Sequence, residues 1–403
     1  MRNKACTIIS IAILCVLVWS GYLWALSCSI SINNGATYTK SRSVTLNLSA
    51  SGGEGNKYMR FNNDGGSWSN WESYNTSKSW TLNDSDGTRT VYFEVKDSSP
   101  TPNVGSNSDS IILDRIRPVT FVDYDEGKGD NGWYIYVYVT LEPYDATSGV
   151  NYTGYKVGGT WKTHYGESDF SFYLPDGASQ EAEFYSVDNA GNQESHRYTD
   201  KKNVDGTEPV TTISLSGTAG DNGWYTSNVT VSLSASDATS GVKWIKYKIG
   251  YFGEEMTYSD AFTLSDDGEY TVYYWARDIA GNEEWPKNSV NIKIDKTIPE
   301  APIVDKKKIG EYTPGYSITI FWDSVSDPIS DNVTYFVQCD DNSDFSSPYA
   351  QSGWITGTSY TFYGLQDETK YWYRVKAKDW AGNESGKITL TPFLVAGNWK
   401  ILT

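Results

Sequence analysis

The sequence predicts an all-β chain, a tandem array of β-sandwich domains. Three observations support this prediction. Four short motifs recur in the same order at a spacing of about 91 residues, which is typical of repeated structural units. Aromatic residues are abundant at 15%, with 31 Tyr and 16 Trp, and these residues favour strands. No helical 3.6-residue periodicity is found after residue 27. The length of 403 residues suits three or four domains.

The repeat is clearest between residues 220 and 299. Its motifs are Gly-Asp-Asn-Gly-Trp-Tyr at 220–225, Asp-Ala-Thr-Ser-Gly-Val at 237–242, Asp-Ile-Ala-Gly-Asn at 278–282 and Asp-Lys-Thr-Ile-Pro at 295–299. The preceding copies lie at 129–134, 145–150, 188–192 and 205–209. Partial copies occur at Asp97 and 114–118 upstream, and at 379–383 downstream. The spacing predicts domains at 28–117, 118–208, 209–298 and 299–393, with a tail at 394–403.

Two strands in every domain alternate between apolar and polar residues, as a two-sheet sandwich requires. The early strands present Val44, Leu46, Leu48; Val137, Val139, Leu141; Val229, Val231, Leu233; and Ile318, Ile320, Trp322 to the predicted core. The late strands present Val91, Phe93, Val95; Ala182, Phe184, Ser186; Val272, Tyr274, Ala276; and Tyr373, Val375, Ala377. A proline follows each linker aspartate by four residues, so the linkers are short and stiff, and we expect a semi-rigid rod.

The first 27 residues are expected to be a signal peptide or a membrane anchor. A basic start at 1–4 precedes a nearly unbroken apolar run to Trp24, and Ala25 and Ser27 are small residues at the positions of a cleavage site. The run is long enough for an uncleaved anchor, and Cys28 leaves lipidation open. All three alternatives place the rest of the chain outside the cytoplasm, secreted or at the cell surface.

The first three domains resemble the Ig-like repeats of prokaryotic surface and secreted proteins, in which Ser-Gly-Val, Asp-x-Ala-Gly-Asn and an Asp-x-x-x-Pro linker recur. The fourth looks like a fibronectin type III module, with Trp322 on an early strand and residues 365–371 leading into 374–377. Tyr371, like Tyr270 in the third domain, stands where a tyrosine corner would tie a loop to the sheet. The resemblance implies a sandwich fold and leaves the ligand open, because such modules serve many roles.

Composition excludes several function classes. The formal charge of −17 disfavours nucleic acid and anionic lipid as partners, so a membrane would be contacted only through the N-terminal segment. The two histidines, His164 and His196, have no neighbouring metal-ligand or catalytic pattern. No nucleophile elbow is present, and small sandwiches rarely place two carboxylates across a cleft. We therefore expect that the chain is not an enzyme.

Aromatic residues form the first set of candidate site residues. Trp68 and Trp71 lie in a Trp-rich stretch of the first domain, and Tyr134, Tyr136 and Tyr138 alternate opposite the core residues of a strand. Exposed rings on a rigid sheet are suited to stacking on sugar rings. Alternatively, these rings pack on cross-strand neighbours and on long side chains.

Aspartates form the second set. Asp145 and Asp188 in the second domain, Asp237 and Asp278 in the third, and Asp205 and Asp295 in the linkers are expected near the ends of the sandwiches. Structural calcium is the one cofactor considered, because it takes six to eight oxygens from flexible loops. Asn192 and Asn282 could add neutral oxygens. Alternatively, each aspartate only caps a turn by accepting bonds from loop N–H groups, and no cofactor is bound.

The sequence favours a non-enzymatic, exported array with an adhesive or structural role, a stalk that contacts proteins or glycans at the cell surface or beyond it. A carbohydrate-binding accessory protein of a secreted polysaccharide-degrading system is the alternative. A third class, an enzyme that has lost its catalytic domain, would need a longer relative to support it. Partners are expected among extracellular proteins and polysaccharides.

Overall fold

The computed structural model describes residues 25–305, 308, 312–314, 316–389 and 393–396. Every regular element in these ranges is a β-strand. The described residues include no helix that is long and apolar enough to cross a membrane. The predicted leader lies outside the described residues up to residue 24, and its last residue, Ser27, begins the first strand. The predicted tail lies outside them from residue 397 onward.

The strands form four consecutive groups. The first group is β1 (Ser27–Ile32), β2 (Tyr38–Thr39), β3 (Ser43–Ser51), β4 (Tyr58–Asn63), β5 (Glu72–Ser73), β6 (Ser77–Thr81), β7 (Gly87–Lys96) and β8 (Val104–Leu113). The second is β9 (Val119–Lys128), β10 (Trp133–Tyr144), β11 (Val150–Val157), β12 (Thr160–Tyr165), β13 (Phe170–Tyr173), β14 (Gly177–Gln180), β15 (Glu183–Asp188), β16 (Arg197–Tyr198) and β17 (Lys202–Val204).

The third group is β18 (Val210–Ser216), β19 (Trp224–Tyr225), β20 (Val229–Ser236), β21 (Val242–Ile249), β22 (Met256–Thr257), β23 (Phe262–Leu264), β24 (Gly268–Asp278) and β25 (Asn288–Ile294). The fourth is β26 (Tyr312–Pro314), β27 (Ser317–Phe321), β28 (Thr334–Asp340), β29 (Ala350–Ile355), β30 (Ser359–Tyr363), β31 (Lys370–Lys378), β32 (Ile388–Thr389) and β33 (Phe393–Ala396). The described part of the chain is thus all-β, with its strands in four tandem groups.

The chain divides into two compact units. The first unit holds the described residues up to Asp125 together with Val137–Pro175 and Gln180–Lys201. It contains a sheet of order β1-β3-β6, a sheet of order β2-β8-β7-β4-β5 and a sheet of order β12-β11-β15-β16. The later part of β10 pairs antiparallel with β13 in this unit. These are the two-sheet pairings that the alternating strands predict.

The second unit holds Glu126–Tyr136, Asp176–Ser179 and the described residues from Lys202 onward. Its sheets have the orders β18-β20-β23, β19-β25-β24-β21-β22, β26-β33-β31-β28-β29 and β27-β30, and β32 pairs with β31. The first two residues of β10 pair parallel with β17. The third sandwich therefore repeats the strand order of the first, strand for strand.

The predicted core faces are confirmed. Every early-strand and late-strand residue predicted to face the core is buried. The packing joins the two sheets of the first sandwich, where Leu46 on β3 belongs to the same cluster as Phe93 on β7. Burial of such apolar area is the main stabilising contribution to a domain of this size.

The tyrosine corners are present as well. The hydroxyl of the buried Tyr371 accepts a hydrogen bond of 3.1 Å from the backbone N–H of Gln366, five residues upstream. The hydroxyl of Tyr270 donates to the carbonyl of Asp266 at 2.9 Å. Each ring therefore ties a loop to the start of the late strand, as the sequence pattern predicts.

A half-buried glutamate clamps two strands together in the third sandwich, and the sequence analysis missed it. Glu284 accepts hydrogen bonds from the backbone N–H of Thr211 on β18 at 2.8 Å and of Ala276 on β24 at 2.9 Å. The hydroxyl of Thr211 also donates to it. Glu194 does the same for Thr120 in the second sandwich. One side chain thus satisfies backbone groups on both sheets.

Candidate metal centres at the sandwich junctions

A linker aspartate directly follows the last strand of each of the first three sandwiches. These residues are Asp114, Asp205 and Asp295, and all three are fully buried. A backbone hydrogen bond holds each of them in place. The N–H groups of Asp114, Asp205 and Asp295 donate to the carbonyls of Thr39, Tyr134 and Tyr225, respectively, at 2.8–2.9 Å. The short parallel pairing at the start of each sandwich places these carboxylates at the junction with the next one.

A second aspartate caps the loop after the early strand of the following sandwich. The Oδ1 atom of Asp145 accepts bonds from the N–H groups of Thr147, Ser148 and Gly149 at 2.9–3.1 Å. Asp237 and Asp327 accept equivalent bonds in their own loops. These contacts are those of the turn-capping hypothesis.

A third aspartate ends the late strand and holds the asparagine four residues later. Asp188 accepts the N–H of Asn192 at 2.8 Å and its side-chain amide at 2.7 Å. The same amide nitrogen donates to the backbone carbonyl of the linker residue Asp114 at 2.9 Å. Asp278 with Asn282 and Asp379 with Asn383 repeat the arrangement. The asparagines thus turn amide nitrogens, and not the expected oxygens, toward these aspartates.

The three kinds of aspartate converge. Carboxylate oxygens lie within 4.8 Å of one another in three groups. We call them triad 1 (Asp114, Asp145, Asp188), triad 2 (Asp205, Asp237, Asp278) and triad 3 (Asp295, Asp327, Asp379). All six aspartates expected as metal ligands belong to a triad, and each linker aspartate joins the pair of the sandwich that follows it. Sequence reasoning missed Asp114, Asp327 and Asp379 as site residues.

The linker aspartate of each triad has a raised pKa, because it is buried close to other carboxylates. Burial, with added repulsion from Asp145 and Asp188, raises the pKa of Asp114, while bonds from Ser148 oppose the rise. Burial likewise raises the pKa of Asp205 in triad 2. Burial also raises the pKa of Asp295, and Asp327 adds to it by repulsion. The cause is the cost of holding several anions out of water.

The Asp-Asn turn motif (residues 130–131 and 221–222) contacts the loop that carries the Ala-Gly-Asn motif (residues 280–282 and 381–383) of the next sandwich. In the second unit, the N–H of Asp221 donates to the carbonyl of Ala381 at 2.8 Å, and the amide of Asn222 donates to the carbonyl of Trp380 at 2.8 Å. The carboxylate of Asp221 pairs with Lys378 at 2.8 Å. Two motifs that recur together in the sequence therefore form one contact.

The preceding copy of this contact has the same form. The N–H of Asp130 donates to the carbonyl of Ala280 at 2.6 Å, and the amide of Asn131 donates to that of Ile279 at 2.8 Å. The Asp130 carboxylate pairs with Lys243 and Arg277, each at 3.2 Å. The turn asparagine has a φ of +53°, a conformation that asparagine tolerates better than most residues.

The aromatic candidates are covered by other side chains. The guanidinium of Arg60 lies 4.7 Å from the ring of Trp68 and 4.5 Å from that of Trp71, and Lys96 lies 4.5 Å from Trp71. These cation–π contacts occupy ring faces that a sugar would need. Both rings are half-buried. The arrangement favours the packing alternative for the first domain.

The three tyrosines also have neighbours. In the second unit Lys202 lies 5.2 Å from the ring of Tyr134, and the ring of Tyr136 lies so close to Gly127 that a Cβ there would be 2.4 Å from it. In the first unit Tyr138 packs on Tyr173 at 4.7 Å. Their role in glycan binding remains a prediction.

A different aromatic surface is found on the β12-β11-β15-β16 sheet of the first unit. We call it the aromatic platform: Trp161, Tyr185, His196, Tyr152 and Tyr165. The Trp161 ring is 44% exposed and meets the Tyr185 ring edge-on at 5.5 Å, and the Tyr185 and His196 rings stack at 4.5 Å. Period-2 alternation on β11 and β12 was the signal in the sequence that could have found it.

The histidines do not form a catalytic arrangement in the part of the chain that the structure describes. His164 contacts the hydroxyl of Ser168 at 3.0 Å. His196 is bonded to the carboxylate of Glu183 at 2.7 Å. A catalytic triad needs one histidine that contacts both a hydroxyl and a carboxylate. Here His164 contacts the hydroxyl and His196 contacts the carboxylate, so neither contact pair forms a triad.

Comparison of the sequence with known proteins gives a partial match. No family model matches the sequence. Chitinase A1 of Niallia circulans is 31% identical over 194 residues, which cover 45% of this chain and 25% of the chitinase. The chain therefore spans about a quarter of the length of that relative.

Solved structures give low similarity scores. Domains A168–A170 of titin match 70% of the chain and 99% of that structure at 13% identity, with a TM-score of 0.39. A tetra-tandem repeat from the extending region of a large adhesion protein matches 91% and 99% at 15% identity and a TM-score of 0.26. The FN1–FN3 domains of chicken CNTN1 match 70% of the chain and 99% of that structure at 15% identity, with a TM-score of 0.26. Scores of this size carry no inference about function.

Proposed function

We propose that the chain is a non-enzymatic structural connector, an exported stalk whose sandwiches are fixed to one another at their junctions. One observation carries this proposal: the Asp-Asn turn of one sandwich bonds the Ala-Gly-Asn loop of the next, as Asp221 does with Ala381. The linker itself has little slack, because the side chain of Asn383 holds the carbonyl of Asp295. A freely jointed chain would need neither contact.

Limited proteolysis tests this proposal on the full chain. Trypsin cuts after Lys and Arg where the backbone unfolds locally. Two linkers contain such residues, Arg115 and Lys296. Arg115 pairs with Asp84 and Asp86, and Lys296 lies 3.7 Å from Asp267. Fixed junctions predict that both sites resist trypsin as long as the sandwiches stay folded. Early release of folded single-sandwich fragments would contradict the proposal.

A second candidate function is binding of polysaccharide, and the aromatic platform is the observation that favours it. Trp161 and Tyr165 are 44% and 74% exposed, on a sheet that holds them rigid. Rings presented in this way offer apolar area to the faces of sugars. The partial likeness to a chitinase is consistent with this role, and makes chitin the first polymer to test.

Depletion by insoluble chitin tests the second candidate. The full chain should leave the supernatant with chitin, and Trp161→Ala should remain in solution. Phe252→Ala is a matched control, because Phe252 is 95% exposed and lies outside the platform. Retention of all three proteins in the supernatant, or equal depletion of all three, would remove the platform as a glycan site.

A further inference from the structure

Triad 3 contains two buried carboxylate oxygens that accept no well-formed hydrogen bond from the described residues, although the Ser330 side chain lies near enough to Asp295 to oppose the rise in its pKa. Asp295 is 0% exposed and Asp327 is 4% exposed. Their Oδ1 atoms accept backbone N–H groups, but the Oδ2 atom of each is buried and accepts no hydrogen bond. In triads 1 and 2 the Oδ2 atom of the linker aspartate accepts the N–H of Ser148 or Ser240. Triad 3 lacks that bond.

Turn capping alone does not explain such oxygens. Asp97 in the first sandwich shows what a cap needs, since its two oxygens accept five bonds from Glu54, Ser99 and Asn103. Among the described residues, Asp97 belongs to no triad of carboxylates. A buried carboxylate oxygen without a donor is costly, and the cost rises when other carboxylates lie beside it. A cap accounts for one aspartate, whereas three converge here.

No side chain of the described residues neutralises triad 3. None of its aspartates forms an ion pair with a Lys, Arg or His in the described ranges, although Lys378 lies next to Asp379 in sequence and pairs with Asp221 instead. The linker's own Lys296 turns to Asp267 and to the carbonyl of Ser265. The neighbouring cations are therefore used elsewhere, and the negative charge of the triad is left to a species from solution.

We propose that Asp295, Asp327 and Asp379 bind one calcium ion. Calcium–oxygen distances are about 2.4 Å, so two oxygens 4.8 Å apart still reach the same ion from opposite sides. The ligands are hard oxygens, and neither Cys nor His is part of the cluster, which suits calcium and not zinc. Loop carbonyls and water would complete the six to eight ligands that calcium takes.

The ion would join two sandwiches directly. Asp295 follows β25, the last strand of the third sandwich, whereas Asp327 and Asp379 belong to loops of the fourth. Bound calcium would replace mutual repulsion by shared attraction to one cation. The inference goes beyond the proposed function, because the triad binds calcium or fails to do so whatever role the chain has.

Calorimetric titration of the metal-free full chain with calcium chloride tests the proposal. Asp327→Asn keeps an oxygen for the N–H groups of Ile329 and Ser330 but removes the charge. Asp331→Asn is the matched control, because Asp331 is exposed and lies four residues away. The proposal expects wild type and Asp331→Asn to bind the same number of ions, and Asp327→Asn to bind one fewer. Circular dichroism checks that each variant is folded.

Two results of the titration would overturn the proposal. One is no calcium binding by the wild type at millimolar concentration, and the other is an unchanged ion count in folded Asp327→Asn. Should this variant fail to fold, the wild type alone decides: calcium should raise the melting temperature above that in EDTA, because a ligand that binds only the folded state stabilises it. Equal melting in both would refute the site, and equally tight binding of magnesium would refute its assignment to calcium.

Discussion

The side-chain amide nitrogen of Asn383 lies 3.0 Å from the backbone carbonyl oxygen of Asp295 and donates a hydrogen bond to it across the junction of two sandwiches. The same nitrogen donates to the carboxylate of Asp379 at 2.9 Å. Both amide protons are therefore used. Asn282 relates to Asp205 in the same way, which explains why the Ala-Gly-Asn motif ends in asparagine.

Asn383→Ala is expected to destabilise the junction by about 2 kcal/mol, because the Oδ2 atom of the buried Asp379 and the backbone carbonyl of Asp295 both lose the amide donor. Urea unfolding of the full chain measures the effect. The exposed Asn70, changed to Ala in the same way, is the control and should have no effect. A midpoint unchanged by Asn383→Ala would show that this bond does not hold the linker.

Gly220→Ala should also weaken the contact between the third and fourth sandwiches. A Cβ at Gly220 would lie 2.3 Å from the carbonyl oxygen of Ala381 and 2.8 Å from Thr226, so the turn would have to move away. We expect a loss of about 2 kcal/mol, typical of overpacking. Gly386→Ala is the matched control, because a Cβ there meets nothing within 4 Å. Equal melting temperatures for both variants would contradict the close contact.

Glu284→Ala should unfold the third sandwich more easily, by about 2 kcal/mol, since the buried N–H groups of Thr211 and Ala276 lose their acceptor. Glu284→Gln keeps one oxygen and should recover part of the loss. The neighbouring Glu283 is exposed, and its change to Ala should leave chemical unfolding unaffected. A loss shared equally by positions 283 and 284 would rule out the clamp.

Tyr371→Phe removes the hydroxyl that accepts the N–H of Gln366 and keeps the buried ring. The expected cost is about 1 kcal/mol, the contribution of a typical hydrogen bond. Tyr363→Phe is the control, because Tyr363 is exposed. Thermal unfolding followed by circular dichroism distinguishes the two, and identical behaviour would exclude a stabilising corner.

Acid should weaken the first sandwich through Asp97. Hydrogen bonds from Asn103 and Ser99 hold the pKa of Asp97 well below its ordinary value of 3.8. Because the folded-state pKa is the lower one, its contribution is complete above pH 3.8 and is lost as the pH falls below that value. Asp97→Asn should remove this part of the acid dependence. An identical pH profile for wild type and variant below pH 4 would disprove the assignment.

Much of the fold could be predicted because two kinds of signal are local. Alternation along a strand fixes which residues face the core, and this placed Phe93 and Val375 correctly. The spacing between tyrosine and aspartate fixed the corner at Tyr371 in the same way. The clamp at Glu284 gave no local signal, since its partners lie on β18 and β24, the former 73 residues away.

The site was half predictable for a related reason. Asp237 and Asp278 stand in repeated motifs, so they were recognised as loop aspartates. The sequence could not show that Asp205 turns to the sandwich after it, because that depends on the parallel pairing of β10 with β17. Asp327 was missed since its loop, Asp-Pro-Ile-Ser, lacks the Ser-Gly-Val motif. The aromatic platform was missed because its rings come from three strands.

The central claim is that neighbouring sandwiches are fixed to each other. Electron–electron distance measurement between the third and fourth sandwiches tests it most directly. Spin labels would be attached to cysteines that replace the exposed Thr263 on β23 and Gln351 on β29, after all four native cysteines, at positions 6, 15, 28 and 339, are changed to Ala. Fixed junctions predict one narrow distance distribution, which Asn383→Ala broadens. A broad distribution in the otherwise native chain, unchanged by Asn383→Ala, would contradict the account.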